Sequence, residues 1–268
     1  MVENRRQRRG PFRLILGAYC ALVFFFLVAP IFVVFPISFS AARYLTFPPP
    51  GFSLQWYESY LNDPAWIAAT VTSLKVAAGT TVLATILGTM ISFSLVRGSY
   101  PGRAWVDRLV AAPIIVPNII IAVALYGLFS HFRLIGSWYG VMLGHTIYAI
   151  PFVVLMVGAA LRTFDTNQEL AAMGLGASRL SAVWRVTLPQ IRPSIISAAF
   201  LAFITSFDEL IIALFTSGVN ATLPKKMFDN IIFEIDPTIA AVSVLQILLV
   251  AVVVGLASRF GVGINPMR

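Results

Sequence analysis

Two adjacent carboxylates, Asp208 and Glu209 in the segment SFDEL, are the residues of this chain whose chemistry stands out most. They lie about two-thirds of the way along an apolar run long enough to cross a membrane. Ionisable groups at such depth are costly, so they usually face a cavity or a partner and often mark a substrate path. Neighbouring helix positions point about 100° apart, so the two need not share a direction. We expect Asp208 to face a pathway. The alternative is that one or both carboxylates pair with Lys75 or His145, or lie in water near the outer interface.

A second group of candidates lies in the segment PIIVPNII and just beyond it. Pro117 removes a backbone hydrogen bond in mid-membrane, and irregular backbone at that depth is tolerated where it is packed or lines a cavity. Asn118 beside it is a pathway candidate, although a packing kink explains the proline equally well. Tyr126 is suited to contact a cation, but anchoring at the membrane interface is the favoured interpretation. His145 is expected to satisfy a hydrogen bond between helices.

The sequence lacks the motifs of the common enzyme classes. The pattern GxxxxGK[ST], which binds nucleotide phosphates, does not occur, so we expect the chain not to hydrolyse ATP itself. HExxH and GxSxG are also missing from the sequence. Cys20 is the one cysteine, and with His131 and His145 it supplies too few ligands for a metal cluster. We therefore expect a non-catalytic chain that binds no metal and no cofactor of its own.

The composition is that of a membrane protein, with 59% hydrophobic and 11% charged residues. Such a chain could not bury its apolar surface in one soluble core, and apolar runs of about 20 residues recur with the charges between them. The net charge of +8 reflects arginines at the ends of these runs. Nucleic-acid binding is therefore not favoured.

The apolar runs predict six membrane spans. Their expected ranges are 14–35, 76–96, 109–130, 138–161, 194–215 and 238–257. Lys75 is expected to divide a short separate helix, residues 66–74, from the second span, because a lysine can extend its side chain to the interface. Pro113 and Pro117 are expected to interrupt the third span, and an external loop with a short surface helix should follow the first.

The basic residues indicate how these spans are oriented. Most of the 19 lysines and arginines lie in segments that six spans place on one side of the membrane. The positive-inside rule then puts both termini in the cytoplasm. We expect a basic cytoplasmic segment over residues 1–13, a transmembrane domain over 14–258 and a cytoplasmic tail over 259–268, with no separate soluble domain.

Residues 163–193 form the one long polar and amphipathic insert between apolar runs, and the same charge rule places it in the cytoplasm. Thr166 and Glu169 have the spacing of a capping box, in which each side chain bonds the backbone of the other. Gly174 and Gly176 should end the helix that this box begins.

A second helix is expected in the same insert. Ser178 can cap its start, and Pro189 and Pro193 should prevent it from running on, so that a compact helix-turn-helix results. One apolar stripe at helical spacing, typical of a face that meets a partner, is formed by Leu180, Val183, Trp184 and Thr187.

The segment LAAMGLGASRLSAVWRVTLP resembles the EAA loop of inner-membrane permease subunits of ATP-binding-cassette importers. In that pattern Glu-Ala-Ala is followed after three residues by Gly, after nine more by Ile, and after one more by Leu-Pro. Leu170 occupies the glutamate position here, with Glu169 one place early, and Val186 replaces the isoleucine. Because one residue turns the helix face by about 100°, we keep Glu169 as a cap rather than as a contact to the ATPase. The residues to which the resemblance assigns ATPase coupling are Ala171, Ala172, Gly176, Ala177, Ser178, Leu188 and Pro189.

The resemblance extends over residues 14–257. The segments GFSLQWYESYL, TSLKVA, HTIYAIPFVV, SFDELIIALFTSG and TLPKKMF are similar to the second permease subunit of spermidine/putrescine importers. This implies an all-α polytopic protein of the bacterial inner membrane, with six transmembrane helices, the type I ABC importer permease fold and a cytoplasmic coupling helix. It also implies as partners a homologous second permease subunit, two ATPase subunits that bind ATP and Mg, and a periplasmic or extracellular substrate-binding protein, besides membrane lipid.

The resemblance further implies a mechanism and a solute. Residues 163–193 would seat in a cleft of one ATPase, whose closure turns the spans from inward-open to outward-open. A polyamine would suit Asp208, because a multiply charged amine in low dielectric needs a compensating charge. Opines and phosphonates are alternative solutes. Two other classes stay open: an ion-coupled secondary transporter with Asp208, Glu209 and Lys75 as its relay, and a membrane scaffold whose loop recruits a soluble partner.

Overall fold

The computed structural model describes residues 11–233 and 236–260, and over these residues the chain is predominantly helical. The segments predicted over 1–13 and 259–268 lie largely outside the described residues. The helices in chain order are α1 (Pro11–Ser38), α2 (Gln55–Asn62), α3 (Pro64–Arg97), α4 (Arg103–Ile115), α5 (Asn118–His131), α6 (Trp138–Thr163), α7 (Asn167–Gly174), α8 (Arg179–Ala182), a π-helical turn (Val183–Thr187), α9 (Leu188–Phe207), α10 (Ile211–Thr216), α11 (Leu223–Phe233) and α12 (Thr238–Phe260).

The chain divides into two compact units, and the first comprises residues 1–62 and 234–246. Its described part holds α1, α2 and the first residues of α12. The Trp56 Nε1–H donates to the Ser40 carbonyl at 2.8 Å, and the hydroxyls of Ser38 and Tyr57 lie 2.8 Å apart. These bonds fasten α2 against the end of α1. The short helix predicted after the first span is therefore confirmed.

The second unit comprises residues 63–233 and 247–268, and α3, α6 and α9 pack together to form its core. Small side chains let these helices approach closely. This is common in membranes, where helices associate by van der Waals packing because the hydrophobic effect does not drive them together. At Gly88 of α3, an added Cβ would lie 2.7 Å from the Cβ of Val153 in α6. The buried residues of this core are Ala84, Ala149, Val153, Val157, Leu161, Ile191, Ala198 and Ala202.

The second span is one helix of 34 residues, Pro64–Arg97, so the predicted division at Lys75 is wrong. The Asp63 carboxylate accepts from the Ala65 N–H and begins the helix, with Pro64 at a position where its missing N–H costs little. Lys75 lies on the exposed side of α3. Lysine is a good helix former, so an exposed charge there does not interrupt the helix.

The third span is broken, with α4 and α5 meeting at an angle of 109°. Pro117 has no N–H and restricts the residue before it, and Val116 accordingly has an extended backbone with φ −77° and ψ 132°. The predicted interruption at Pro117 is confirmed. The interruption predicted at Pro113 is wrong, because this residue lies inside α4.

The described residues contain five helices long and apolar enough to cross a membrane, and six spans if α4 and α5 together make one. The fourth and sixth predicted spans, 138–161 and 238–257, match α6 and α12 within a few residues. The fifth span, predicted over 194–215, belongs to a helical segment that begins at Arg179. It is interrupted between Phe207 and Ile211.

Candidate functional site

The insert over residues 163–193 contains the predicted turn between two helices. α7 ends at Gly174, and Gly176 has φ +90°, a conformation that residues with a Cβ rarely adopt. The Ser178 Oγ accepts from the Ser181 N–H at 3.2 Å, so the predicted cap of the second helix is confirmed. We call the insert over residues 163–193, for which the resemblance implies contact with an ATPase, the coupling loop.

The predicted stop at Pro189 and Pro193 is wrong. α8 continues through the π-helical turn into α9, so a single helical segment runs over Arg179–Phe207. In the π turn the Leu188 N–H bonds to the Val183 carbonyl, five residues back. Pro189 follows this turn in the first turn of α9, where its missing N–H costs little, and Pro193 lies inside α9. The coupling loop and the fifth span are therefore joined without a hinge of irregular backbone.

The predicted capping box of Thr166 and Glu169 is also wrong. Thr166 has a helical backbone and its side chain makes no capping bond, while the Asp165 Oδ1 accepts from the Asn167 N–H at 3.0 Å. The Glu169 side chain is instead engaged elsewhere. Its Oε1 accepts from Arg97 Nη1 at 2.5 Å.

Arg97 is the last residue of α3 and lies in a shielded position. Its guanidinium carbon is 5.2 Å from the centre of the Phe93 ring and 5.5 Å from that of the Phe164 ring. The Thr187 hydroxyl, at the end of the π turn, also donates to the Glu169 Oε1. In the sequence Arg97 indicates only topology, and no local pattern links it to Glu169, 72 positions away.

The coupling loop presents apolar side chains outward. Leu180 and Trp184 are 68% and 65% exposed, as predicted for a face that meets a partner. Thr187, predicted on the same stripe, is fully buried, because the π turn shifts the helical register before it. Of the predicted coupling residues, those exposed are Ala171, Gly176, Ser178 and Pro189, and those half-buried are Ala172, Ala177 and Leu188.

The fifth span is interrupted between Phe207 and Ile211, where no proline or glycine occurs. The Glu209 Oε2 accepts from the Ile212 N–H at 2.8 Å and from the Ala213 N–H at 3.3 Å. A carboxylate thus replaces the backbone carbonyls that a continuous helix would offer to these amides, and α10 begins anew. The prediction of one continuous helix over residues 194–215 is wrong for this reason.

The break separates the two carboxylates. Asp208 ends α9 and is exposed, whereas Glu209 is buried. The Glu209 Oε2 lies 3.5 Å from His145 Nε2, and His145 Nδ1 is 2.9 Å from the Ser206 Oγ. The hydrogen bond between helices predicted for His145 is confirmed. Glu209 thus has the neighbour that the alternative interpretation named, and exposed Lys75 is not part of this cluster.

The two broken spans pack against each other. α5 contacts α10 through an apolar cluster formed by Ala122, Leu125, Phe129 and Ile212. Asn118 is the half-buried first residue of α5, Pro117 precedes it, and Tyr126 is exposed further along the same helix. Interrupted helices that meet in this way are typical of solute sites in transporters. The candidate pathway residues therefore lie on the two elements that carry the breaks.

Comparisons with known proteins point to one family. The sequence model described as "Binding-protein-dependent transport system inner membrane component" matches residues 84–264. The chain is 34% identical over 245 residues to the putrescine transport system permease protein PotI of Escherichia coli (strain K12), covering 88% of this chain and 86% of that protein. It is 29% identical over 235 residues to the spermidine/putrescine transport system permease protein PotC of Haemophilus influenzae, covering 87% and 91%. A chain from the crystal structure of a bacterial ABC transporter involved in the import of the acidic polysaccharide alginate superposes with a TM-score of 0.72 at 16% identity, covering 96% of this chain and 98% of that one.

Proposed function

This chain belongs to the family of binding-protein-dependent transport system inner membrane components, and we propose that the solute it carries is a polyamine of the spermidine or putrescine type. Its fold is the all-α polytopic fold of type I ABC importer permeases. The observation that carries the proposal is the likeness to PotI and PotC over nearly the whole length of all three chains.

The charge at the break in the fifth span supports a cationic solute. Asp208 is an exposed carboxylate at the point where α9 ends inside an apolar span. A polyamine that leaves water for a low-dielectric passage needs such a negative charge near it. Asn118 and Tyr126 offer an amide and an aromatic ring on the neighbouring broken span, and an aromatic face favours a cation. We assign these three residues to the pathway.

The partners follow from the family and from the loop. The chain is the non-catalytic subunit, and a homologous permease, two ATPase subunits that bind ATP and Mg, and an external substrate-binding protein complete the importer. Leu180 and Trp184 give the coupling loop an exposed apolar face for one ATPase subunit, and Gly176 shapes the turn beside it. Both termini lie in the cytoplasm, on the side of the ATPases.

The mechanism uses the continuity of the loop and the fifth span. Closure of the ATPases on ATP moves the coupling loop, and the helical segment Arg179–Phe207 transmits that movement to the break at Asp208. α10 lies beyond the break and packs on α5, so both broken spans shift together. A displacement in the cytoplasm thereby changes which side of the membrane the pathway faces.

The test is uptake by the complete importer in proteoliposomes, with the binding protein supplied outside. Radiolabelled putrescine and spermidine should accumulate only when ATP is inside, and unlabelled opines or phosphonates should not compete. Accumulation of an opine or phosphonate in place of polyamines would refute the polyamine assignment. Uptake driven by an ion gradient without the ATPases would instead indicate a secondary transporter.

A further inference from the structure

We infer that Arg97, Glu169 and Thr187 form an internal joint that carries the movement of the coupling loop into α3 and α6 as well as α9. This inference rests on the proposed function, and it assigns Arg97 and Glu169 as positioning residues for transport. The family resemblance directs attention to a glutamate that contacts the ATPase. In this chain the geometry points to contacts inside the permease instead.

The joint connects four segments, three at one carboxylate oxygen and the fourth through the guanidinium bonded to it. Glu169 belongs to α7, Arg97 ends α3 and Thr187 ends the π turn that leads into α9. Arg97 Nη1 and the Thr187 hydroxyl both donate to the Glu169 Oε1, and the distance from Arg97 Nη1 is 2.5 Å. Phe164, directly after α6, stacks on the guanidinium. A shift of α7 therefore acts on the ends of three membrane helices at once.

The ion pair is well shielded, unlike most ion pairs on protein surfaces. The side chains of Arg97 and Glu169 are 16% and 13% exposed, and two aromatic rings cover the guanidinium. Shielding from water strengthens a charge-assisted hydrogen bond and reduces its screening by salt. The pair is thus suited to transmit force, which a solvated pair of flexible side chains is not.

The guanidinium has further bonding capacity. Arg97 Nε and Nη2 are buried and make no hydrogen bond among the described residues. Unused buried donors are costly, so an arrangement that brings an acceptor to them is favoured. The joint can therefore exchange its bonds when the loop moves, which is what an element with two states requires.

The Glu169 carboxylate is turned inward, whereas its neighbour is not. Gln168 is exposed, and its only described side-chain bond is one that its Oε1 accepts from Gln190 Nε2. Gln168→Ala therefore provides a matched control one residue away.

The experiment measures transport and ATP hydrolysis in parallel in the reconstituted importer. Arg97→Lys keeps the charge but loses the planar fork, and Glu169→Gln keeps an acceptor for Thr187 but loses the charge. Both should lower the number of solute molecules transported per ATP by roughly tenfold, with the ATPase subunits still bound. Gln168→Ala should leave this ratio unchanged. The exchange variant, Arg97→Glu with Glu169→Arg, should restore part of the ratio lost in the single variants Arg97→Glu and Glu169→Arg.

Two outcomes would overturn the inference. One is an unchanged ratio in Arg97→Lys and Glu169→Gln; the other is loss of the ATPase subunits from Glu169→Gln during purification, which would show that Glu169 contacts the ATPase. If the exchange variant fails to insert, the two conservative variants decide alone. A wild-type importer without ATP-dependent uptake would refute the proposed function, a failure visible before any variant is compared.

Discussion

The Oε2 of Glu209 lies 3.5 Å from the Nε2 of His145, and both side chains are almost fully buried. The same oxygen accepts from the Ile212 N–H, so one carboxylate both starts α10 and meets α6. The break in the fifth span is therefore held by a side chain and not by a proline or glycine. Asp208, which is exposed, directly precedes Glu209 at this break.

Replacing Glu209 should destabilise the break. In Glu209→Ala the amides at the start of α10 lose their acceptor, a loss of about 1 to 2 kcal/mol for a helix cap. Glu209→Gln keeps an acceptor oxygen and should retain most of the stability. Thermal unfolding of the purified importer in detergent should give the lowest Tm for the alanine variant. Equal Tm values for Glu209→Ala and wild type would show that other contacts hold the break.

Removing the charge of Asp208 should impair transport without affecting assembly. Because asparagine has nearly the same size and the side chain is exposed, the Asp208→Asn complex should still assemble, which its purified yield measures. Uptake of a polyamine should fall roughly tenfold, since a nearby carboxylate contributes that order of stabilisation to a cation in the passage. Asp107→Asn, which alters an exposed carboxylate on α4, is the control. Unaltered uptake in Asp208→Asn would remove this residue from the pathway.

The positions of the apolar spans could be read from the sequence, although the bounds of the second and fifth spans could not. The fourth span was predicted over residues 138–161 and is observed as Trp138–Thr163, because an apolar run bounded by Ser137 and a basic segment leaves few alternatives. Pro117 also acts as predicted, since its effect on the backbone is local. Local rules therefore place the spans and the break at Pro117, whereas the interruptions that they predict at Lys75 and Pro113 are not observed.

The features that were missed depend either on a contact between distant residues or on the direction of a side chain. Glu169 was expected to cap its own helix, and only the tertiary fold brings Arg97, at the end of α3, within reach of it. The break after Phe207 has no local signal, because its cause is the direction in which Glu209 points. The π turn that carries the chain past Pro189 likewise has no distinctive sequence. Side-chain direction and long-range pairing, which spacing alone does not specify, decided these features.

Close packing of α3 on α6 should make Gly88 intolerant of any side chain. A Cβ there would lie 2.7 Å from the Val153 Cβ, and no rotamer change moves that atom away. Gly88→Ala should therefore separate the two helices and cost about 1 to 3 kcal/mol. Gly127→Ala is a matched control on α5, where nothing lies within 4 Å of the added Cβ. Thermal unfolding in detergent should give a lower Tm for Gly88→Ala than for wild type and an unchanged Tm for Gly127→Ala. Similar Tm values for the two variants would contradict the close packing.

Gly176 should be required for coupling and dispensable for insertion. Its φ of +90° is strained for any residue with a Cβ, by about 1 to 2 kcal/mol, although the space around it is open. A bulky residue such as leucine would therefore change the path of the turn that carries Ser178 and the second helix. Gly176→Leu should insert normally yet abolish ATP-dependent uptake, whereas Gly174→Ala, also in open space but without a positive φ, should transport at nearly the normal rate. Membrane fractions probed for the chain, together with uptake in proteoliposomes, measure both properties. Normal uptake by Gly176→Leu would show that the shape of this turn does not couple the permease to its ATPase.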